Sequence, residues 1–223
     1  MDKLLFCLSV LITLTEAFVQ TNLDGKVFVF PRESYTDYVD LIPQSEKPLQ
    51  NFTLCFRAYS DLSRPYTLFS YNTQGGNNEL LVYKEGAQLF GLYIGNVRAT
   101  FKVLEDFSVP VHYCAKWESS TGIAEFWVNG KPSVRKGVQQ GYSVKPHPKI
   151  VLGQEQDNYG GGFEITESFM GEFGDLYMWD SLLCAEEILA VYQGSVFNPN
   201  ILDWKALNYE MKGYVVIKPQ LWN

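Results

Sequence analysis

Short apolar runs recur along almost the whole chain, and clusters of Gly, Pro, Asn and Asp separate them. The runs are rich in Val, Ile, Phe, Tyr and Trp, which favour β-strands. Many short strands divided by turn residues are typical of an antiparallel sandwich. The predicted strands are Lys26–Phe30, Thr53–Tyr59, Thr67–Tyr71, Glu79–Tyr83, Leu89–Ile94, Ala99–Val103, Val111–Trp117, Ile123–Val128, Lys149–Leu152, Glu172–Trp179 and Tyr214–Ile217.

Two local patterns refine this fold class. Asn129-Gly130 follows the run that ends at Val128, and it favours a type I′ hairpin because both residues tolerate positive φ. The segment Ala185–Gln193 has helical spacing, with acidic residues in its first turn and Gly194 placed to end it. We therefore expect an all-β, lectin-like jelly-roll sandwich with one helix packed on a face.

The N-terminal segment has the pattern of a secretion signal. A positively charged N-terminus precedes an apolar run from Leu4 to Leu14, which is too short to cross a bilayer. We predict that residues 1–19 are a signal peptide and that residues 20–223 form one domain. Since no later segment is apolar for long enough to span a membrane, a secreted, extracellular protein is expected.

Three cysteines remain once the signal peptide is removed, and an oxidising compartment should pair two of them. Cys55 and Cys114 lie in strand-like runs, whereas Cys184 lies at the start of the predicted helix. We therefore predict a Cys55–Cys114 disulfide, which leaves Cys184 free, capped by a small thiol, or buried and inert. A sequon, Asn-Phe-Thr, predicts N-glycosylation of Asn51.

The sequence offers little catalytic chemistry. It has two histidines, His112 and His147, and it lacks zinc-ligand spacing, a G-x-S-x-G motif, a P-loop and a dinucleotide-binding glycine motif. For each histidine, a side chain satisfied by its neighbours is the simpler interpretation. We expect a binding protein and not an enzyme.

The densest group of oxygen ligands lies between Leu152 and Gly162, where Glu155 and Asp157 project on one side of an extended chain. Calcium takes roughly six to eight oxygen ligands, so this segment supplies only part of a site. Candidates for the other ligands are Asn77, Asn78, Glu79 and Glu167. On residue types alone, a solvated polar loop explains the segment equally well.

A longer motif points to a family. Residues 112–119, His-Tyr-Cys-Ala-Lys-Trp-Glu-Ser, match the pentraxin signature His-x-Cys-x-[Ser/Thr]-Trp-x-[Ser/Thr], with Lys116 in place of the first hydroxyl residue. Further matching stretches are residues 27–34, 151–157 and 175–180. The sequence thus resembles the pentraxin family over essentially its whole length.

This resemblance implies a lectin-like jelly roll assembled into a homopentameric ring, with two adjacent calcium ions on one face of each subunit and the helix on the other. The implied calcium ligands are Asn77, Asn78, Glu155, the backbone carbonyl of Gln156, Asp157 and Glu167. In this family anionic head groups bind to the calcium pair. Bound cations therefore give this acidic chain, with a formal net charge of −7, an attractive patch for anions.

The resemblance also implies ligands and partners. The ligands are phosphoethanolamine, pyruvylated or phosphorylated glycans, and polyanions that include DNA, chromatin and amyloid fibrils. Complement and Fc receptors are implied partners of the helix face, without any assigned residue.

One branch of the family has an apolar and aromatic pocket beside the calcium ions, and it corresponds here to Leu81, Tyr83 and Tyr93. Alternation along the strand places Leu81 and Tyr83 on the same face. A phosphocholine-preferring branch has a different pocket, and Tyr93 argues against that alternative. Without the resemblance, sandwich core is the simpler interpretation of these residues.

Two alternatives come from other functional classes. Glycan hydrolases with a lectin-like sandwich use paired carboxylates, and one such arrangement reads Glu-x-Asp-x-x-Glu along a strand. Residues 155–160 read Glu-Gln-Asp-Asn-Tyr-Gly, so the third carboxylate is missing. A purely structural or carrier protein that uses its helix face is the other alternative.

Two residues depart from the family's calcium pattern. Asn77 stands where the family usually has aspartate, and Glu167 stands where it usually has glutamine. The number of carboxylates is unchanged, but one negative charge moves from the shell of the first ion to that of the second. We expect the first site to be weakened and the second strengthened, because calcium affinity follows ligand charge.

Overall fold

The computed structural model describes residues 20–104, 106 and 108–222, so the predicted signal peptide lies outside the described residues. Within these residues the chain forms a sandwich of two antiparallel sheets and one α-helix, α1, at Ala185–Tyr192. None of the helices in this part of the chain is long and apolar enough to cross a membrane.

Sixteen strands build the two sheets. They are β1 Lys26–Phe30, β2 Tyr38–Ile42, β3 Asn51–Tyr59, β4 Tyr66–Asn72, β5 Leu80–Gly86, β6 Leu89–Ile94, β7 Val97–Lys102, β8 Val111–Glu118, β9 Ile123–Val128, β10 Lys131–Pro132, β11 Lys136–Gly137, β12 Lys149–Leu152, β13 Gly171–Trp179, β14 Leu202–Asp203, β15 Asn208–Lys212 and β16 Val216–Pro219. The first sheet has the order β10-β9-β8-β3-β13-β1-β16, with β11 beside β9 and β14 beside β13. The second sheet has the order β15-β2-β12-β4-β5-β6-β7.

The core lies between the sheets and is rich in aromatic rings. Phe56 of β3 stacks on Phe173 of β13, and Phe126 of β9 stacks on Phe90 of β6, with ring centroids 4.9 and 5.2 Å apart. On β5, Leu80 and Val82 belong to this core. Since side chains alternate along a strand, Leu81 and Tyr83 lie on the other side of β5, on the outer face of the second sheet.

The helix packs on the outer face of the first sheet. Its buried residues are Ile188 and Val191, and the Arg57 guanidinium of β3 donates a 2.5 Å hydrogen bond to the carbonyl of Tyr192. Two acids occupy the first turn, where they complement the helix dipole. The predicted helix and the all-β class are therefore confirmed.

Several strand predictions needed correction. All eleven predicted runs overlap a strand, but β2, β15 and the two-residue strands β10, β11 and β14 were missed, and Tyr214–Ile217 is displaced to Val216–Pro219. β15 is an edge strand with the sequence Asn-Tyr-Glu-Met-Lys; polar and apolar residues alternate in it, but only two are apolar and none of the five is buried. β16 tolerates Pro219 because an edge strand does not need every backbone N–H.

Two features of β3 fix the centre of the first sheet. Cys55 lies directly opposite Cys114 of β8, and the two form the predicted disulfide. Thr53 is fully buried, and its hydroxyl donates to the Ser181 carbonyl at 2.7 Å and accepts from the Leu183 amide at 3.0 Å. The sequon at Asn51 therefore lies inside a paired strand, and its threonine anchors the segment that enters the helix.

Candidate functional site

A long segment, residues 153–170 between β12 and β13, covers part of the outer face of the second sheet; we call it the cover loop. Its ends are joined by a 3.0 Å hydrogen bond from the Phe169 amide to the Gly153 carbonyl. The Gln156 amide group then ties it to the sheet, because it donates to the carbonyls of Ser70 and Lys149 at 3.1 and 3.0 Å. The loop therefore has a defined conformation over the strands beneath it.

The cover loop buries a carboxylate without pairing it to a cation. Glu155 is 5% exposed, and its Oε2 atom has no hydrogen-bond partner. The pKa of Glu155 is raised to about 7, first by burial and then by the negative charges of Glu167 and Asp157, whereas a hydrogen bond from Asn78 opposes the shift. An ionised carboxylate in this position is costly unless a cation compensates it.

Asn78 meets Glu155 from the end of the β4–β5 connection. Its backbone has a φ of 48°, and its Oδ1 atom is buried and lacks a hydrogen-bond partner. Asn77, the preceding residue, is exposed. Two buried oxygen acceptors, one from each segment, are thus left unsatisfied beside each other.

The other predicted ligands lie in the same cover loop. Glu167 is half-buried, and its pKa is raised by burial and then by the charges of Asp157 and Glu164. Asp157 is exposed. The backbone carbonyl of Gln156 accepts a 3.2 Å hydrogen bond from Asn72 and retains a second lone pair.

This donor set fits calcium in its chemistry. It consists of carboxylate, amide and carbonyl oxygens, which are the ligands that calcium prefers, and the two orphaned acceptors are what a bound cation would satisfy. Among the described residues, the carboxylates do not form a group of three within 4.8 Å of one another.

The predicted pocket residues lie beside these acids. Leu81 of β5 pairs with Tyr93 of β6, and Leu81 and Tyr83 alternate with the core residues, so all three lie on the outer face of the second sheet. The pKa of Tyr83 is raised to about 12, first by burial and then by the charges of Glu167 and Glu155. These three residues do not belong to the hydrophobic cluster between the sheets, and Tyr83 lies near the acidic residues on the outer face.

Comparison with known proteins decides the family. The model of the Pentaxin family matches residues 26–219. The chain is a pentraxin.

Related proteins match this chain over its full length or nearly so. This pentraxin is 66% identical to serum amyloid P-component of Homo sapiens over 222 residues, covering all of both chains. It is 64% identical to the "Female protein" of Nothocricetulus migratorius over 220 residues, covering 99% of this chain and 95% of that protein. The crystal structure of the native heptameric SAP-like pentraxin from Limulus polyphemus superposes with a TM-score of 0.81 at 22% identity, covering 90% and 98% of the two chains, and that likeness shows the fold.

Membership of the family also settles the functional class. Pentraxins are recognition proteins and not enzymes, so this pentraxin is a pattern-recognition protein. The glycan-hydrolase alternative is therefore wrong, in agreement with the missing third carboxylate at position 160.

The family signature lies in the first sheet, away from the cover loop. On β8, Cys114 forms the disulfide, the Trp117 indole donates to the Val138 carbonyl at 2.9 Å, and His112 is 1% exposed. Burial, followed by the charge of Arg57, lowers the pKa of His112 to about 3, so this histidine is neutral. Cys55, His112 and Cys114 lie close together, but both thiols are in the disulfide and cannot bind a metal ion. The signature thus marks the sheet centre of this pentraxin and contributes nothing to the acidic cluster.

On the helix face, a groove of about 900 Å³ runs between α1 and the C-terminal segment. Arg57 and Asp175 form a 3.2 Å ion pair in it, and the Arg57 guanidinium lies 5.5 Å from the centre of the Tyr192 ring.

At the start of the helix, Cys184 is exposed, which excludes the buried state predicted as one alternative, and its pKa is raised.

Sequence reasoning missed the residues that hold the site together. The Gln154 amide donates to the carbonyls of Ser34 and Asp37 at 2.6 and 2.9 Å, and Arg64 contacts the cover loop near Glu167. These partners lie about a hundred residues apart or more, so no local pattern could reveal them.

Proposed function

We propose that this pentraxin is a secreted, calcium-dependent recognition protein that binds anionic head groups through two calcium ions per subunit. The observation that carries the proposal is the pair of buried, unsatisfied acceptors, Glu155 Oε2 and Asn78 Oδ1, among three acids. Asn77, Asn78, Glu155, the Gln156 carbonyl, Asp157 and Glu167 would hold the ions. When bound, calcium supplies a positive surface to which phosphate or carboxylate groups bind directly.

The neighbouring pocket would give selectivity. Leu81, Tyr83 and Tyr93 offer an apolar and aromatic surface next to the acids, suited to the methyl or methylene part of a small head group. Phosphoethanolamine and pyruvylated or phosphorylated glycans combine such a part with an anion. Repeated anions on DNA, chromatin or amyloid fibrils would engage several sites at once.

Retention on immobilised phosphoethanolamine tests this function. We expect binding in calcium, release by chelator, and weaker retention on phosphocholine. Tyr93→Ala should reduce retention with little effect on calcium binding, and Tyr35→Ala, an exposed tyrosine outside the pocket, is the matched control. Retention that survives chelator would contradict the proposal.

We further propose that the subunits assemble into a ring of five, as the family resemblance implies. The Limulus polyphemus pentraxin, described as heptameric, supports a closed ring as the mode of assembly. Identical sites on one face would then bind a repetitive surface with high avidity. The helix face would remain for complement and Fc receptors. Sedimentation of a monomer in calcium-free buffer would contradict this assembly.

Residues 1–19 would be removed as a signal peptide, and Asn51 would carry a glycan. Asn51 is partly exposed at the start of β3, which leaves room for a sugar. Mass determination of the protein secreted by cultured cells, before and after glycosidase treatment, tests both proposals.

A further inference from the structure

Arg64 lies in the connection between β3 and β4 and contacts the cover loop. Its guanidinium donates to the carbonyls of Thr166 and Ser168 at 3.1 and 2.8 Å, which are the residues on either side of Glu167. It also donates to the Ser168 hydroxyl at 3.2 Å and to the Glu33 carboxylate at 3.0 Å. One side chain therefore holds the backbone before and after a proposed calcium ligand.

The turn that carries Glu167 has few packing contacts of its own, although Ser168 and Phe169, which follow it, are buried. It is a single 3-10 turn, Ile165–Glu167, that contains no buried residue and has no side-chain cap at its start. Ile165 is 46% exposed, so apolar packing does not hold the turn in place. The Ser168 hydroxyl adds one local hydrogen bond, to the Ile165 carbonyl at 2.8 Å.

Arginine suits this task because its guanidinium is planar and presents several donors in a rigid fork. Here Nη1 donates to both backbone carbonyls, while Nη2 reaches the Ser168 hydroxyl and, together with Nε, the Glu33 carboxylate on the other side. Arg64 is mostly buried, with 23% of its side chain exposed, so water competes only in part for these donors.

We propose that Arg64 is the positioning residue of Glu167 and thereby sets the affinity of the second calcium-binding step. This inference rests on the proposed function, in which Glu167 is a ligand of the second ion. Without Arg64, the turn can move, and part of the binding energy must be spent on ordering the Glu167 carboxylate. Residues that orient metal ligands affect metal affinity by roughly ten- to a hundredfold.

Calcium titration of variants tests the proposal. Arg64→Gln should weaken the second step about tenfold and change the first by less than about twofold. Arg64→Lys should weaken it similarly, because an ammonium keeps the charge but lacks the fork; full affinity in this variant would overturn the positioning role. The matched control is Arg135→Gln, which removes an arginine with a 2.9 Å carboxylate partner on the first sheet and should leave both steps unchanged.

A metal-free measurement separates positioning from general stability. In chelator, hydrogen exchange in Arg64→Gln should be faster at the amides of Glu167 and Ser168 and unchanged in β3 and β8. Equal weakening of both calcium steps, with faster exchange throughout the second sheet, would overturn the proposal in favour of a structural role.

The double variant Arg64→Gln with Glu167→Gln tests whether Arg64 acts through Glu167, and the single variants separate a failure of this role from a failure of the proposed function. If Arg64 acts through Glu167, the double variant binds the second ion no more weakly than Glu167→Gln alone. A normal second step in Arg64→Gln, with a weakened one in Glu167→Gln, would overturn only the role of Arg64. A wild-type protein that binds no calcium would instead overturn the proposed function.

Discussion

The two outer faces of the sandwich are covered in opposite ways. On the first sheet, α1 packs through the apolar side chains of Ile188 and Val191. On the second sheet, the buried side chains of the cover loop before Phe169 are all polar: Gln154, Glu155, Gln156 and Ser168. The helix is held by apolar burial, whereas the cover loop combines ring contacts of Phe163 and Phe169 with hydrogen bonds around an unpaired carboxylate.

The difference has a physical consequence. Apolar burial contributes stability that needs no further component. A polar cover with an unpaired buried charge is stabilised only in part, and a bound cation can supply what is missing. The helix face should thus be indifferent to calcium, whereas the cover loop should depend on it.

The largest effect is expected from the helix. Ile188→Ala should lower the free energy of unfolding by about 2–5 kcal/mol, because Ile188 is fully buried and its removal leaves a cavity. The loss should be the same in calcium and in chelator, as measured by denaturant unfolding. Leu189→Ala, at a neighbouring position that is 44% exposed, is the control and should change stability by less than about 0.5 kcal/mol. A loss of stability in Ile188→Ala that depends on calcium would contradict the claim that the helix face is indifferent to calcium.

Next in size is the buried acid of the cover loop. Glu155→Gln should lower calcium affinity at least about a hundredfold, since a charge at contact distance in a partly buried site contributes several kcal/mol. In chelator the variant should be at least as stable as the wild type, because the unpaired charge is removed. Glu164→Gln, an exposed acid of the same loop, should leave calcium affinity nearly unchanged. Isothermal titration and thermal unfolding measure the two effects, and a less stable metal-free Glu155→Gln would contradict this account.

A smaller effect is expected where the chain departs from its family. Glu167→Gln should weaken the second calcium step and Asn77→Asp should strengthen the first, each about tenfold, because Glu167 is only half-buried, Asn77 is exposed, and water weakens the charge at both positions. The two binding steps of the wild type should therefore be closer together than those of Asn77→Asp. Calcium titration resolves the steps, and a Glu167→Gln variant that matches the wild type would exclude Glu167 as a ligand.

The last prediction concerns the dependence of stability on pH. The pKa of Glu155 is raised from 4.5 to about 7 in the folded chain, so the folded state retains a proton that the unfolded state releases. Without calcium, the contribution of Glu155 to stability is complete below pH 4.5 and is lost as pH rises through about 7. Thermal unfolding in chelator should show this loss, and Glu155→Gln should reduce it. Calcium affinity should rise over the same range, because calcium requires the ionised carboxylate.

The sequence predicted features whose causes are local. The helix at Ala185–Tyr192 and the Asn129-Gly130 turn, where φ is 49° and 72°, follow from helix signals and turn chemistry. The partners of Arg64 and Gln154 depend on which loops the sandwich brings together, and residue spacing carries no trace of that. The proposed ligand set came from resemblance for the same reason, since Asn78 and Glu155 are distant in sequence.

The Thr53 hydroxyl has a consequence for the order of events in biosynthesis. A glycosyltransferase that modifies Asn51 must reach the sequon hydroxyl, yet in the folded chain this group is fully buried between the Ser181 carbonyl and the Leu183 amide. Attachment of a sugar and docking of the segment before α1 therefore both require the Thr53 hydroxyl oxygen. A sugar on Asn51 would therefore have to be added before the segment of Ser181 and Leu183 docks on Thr53.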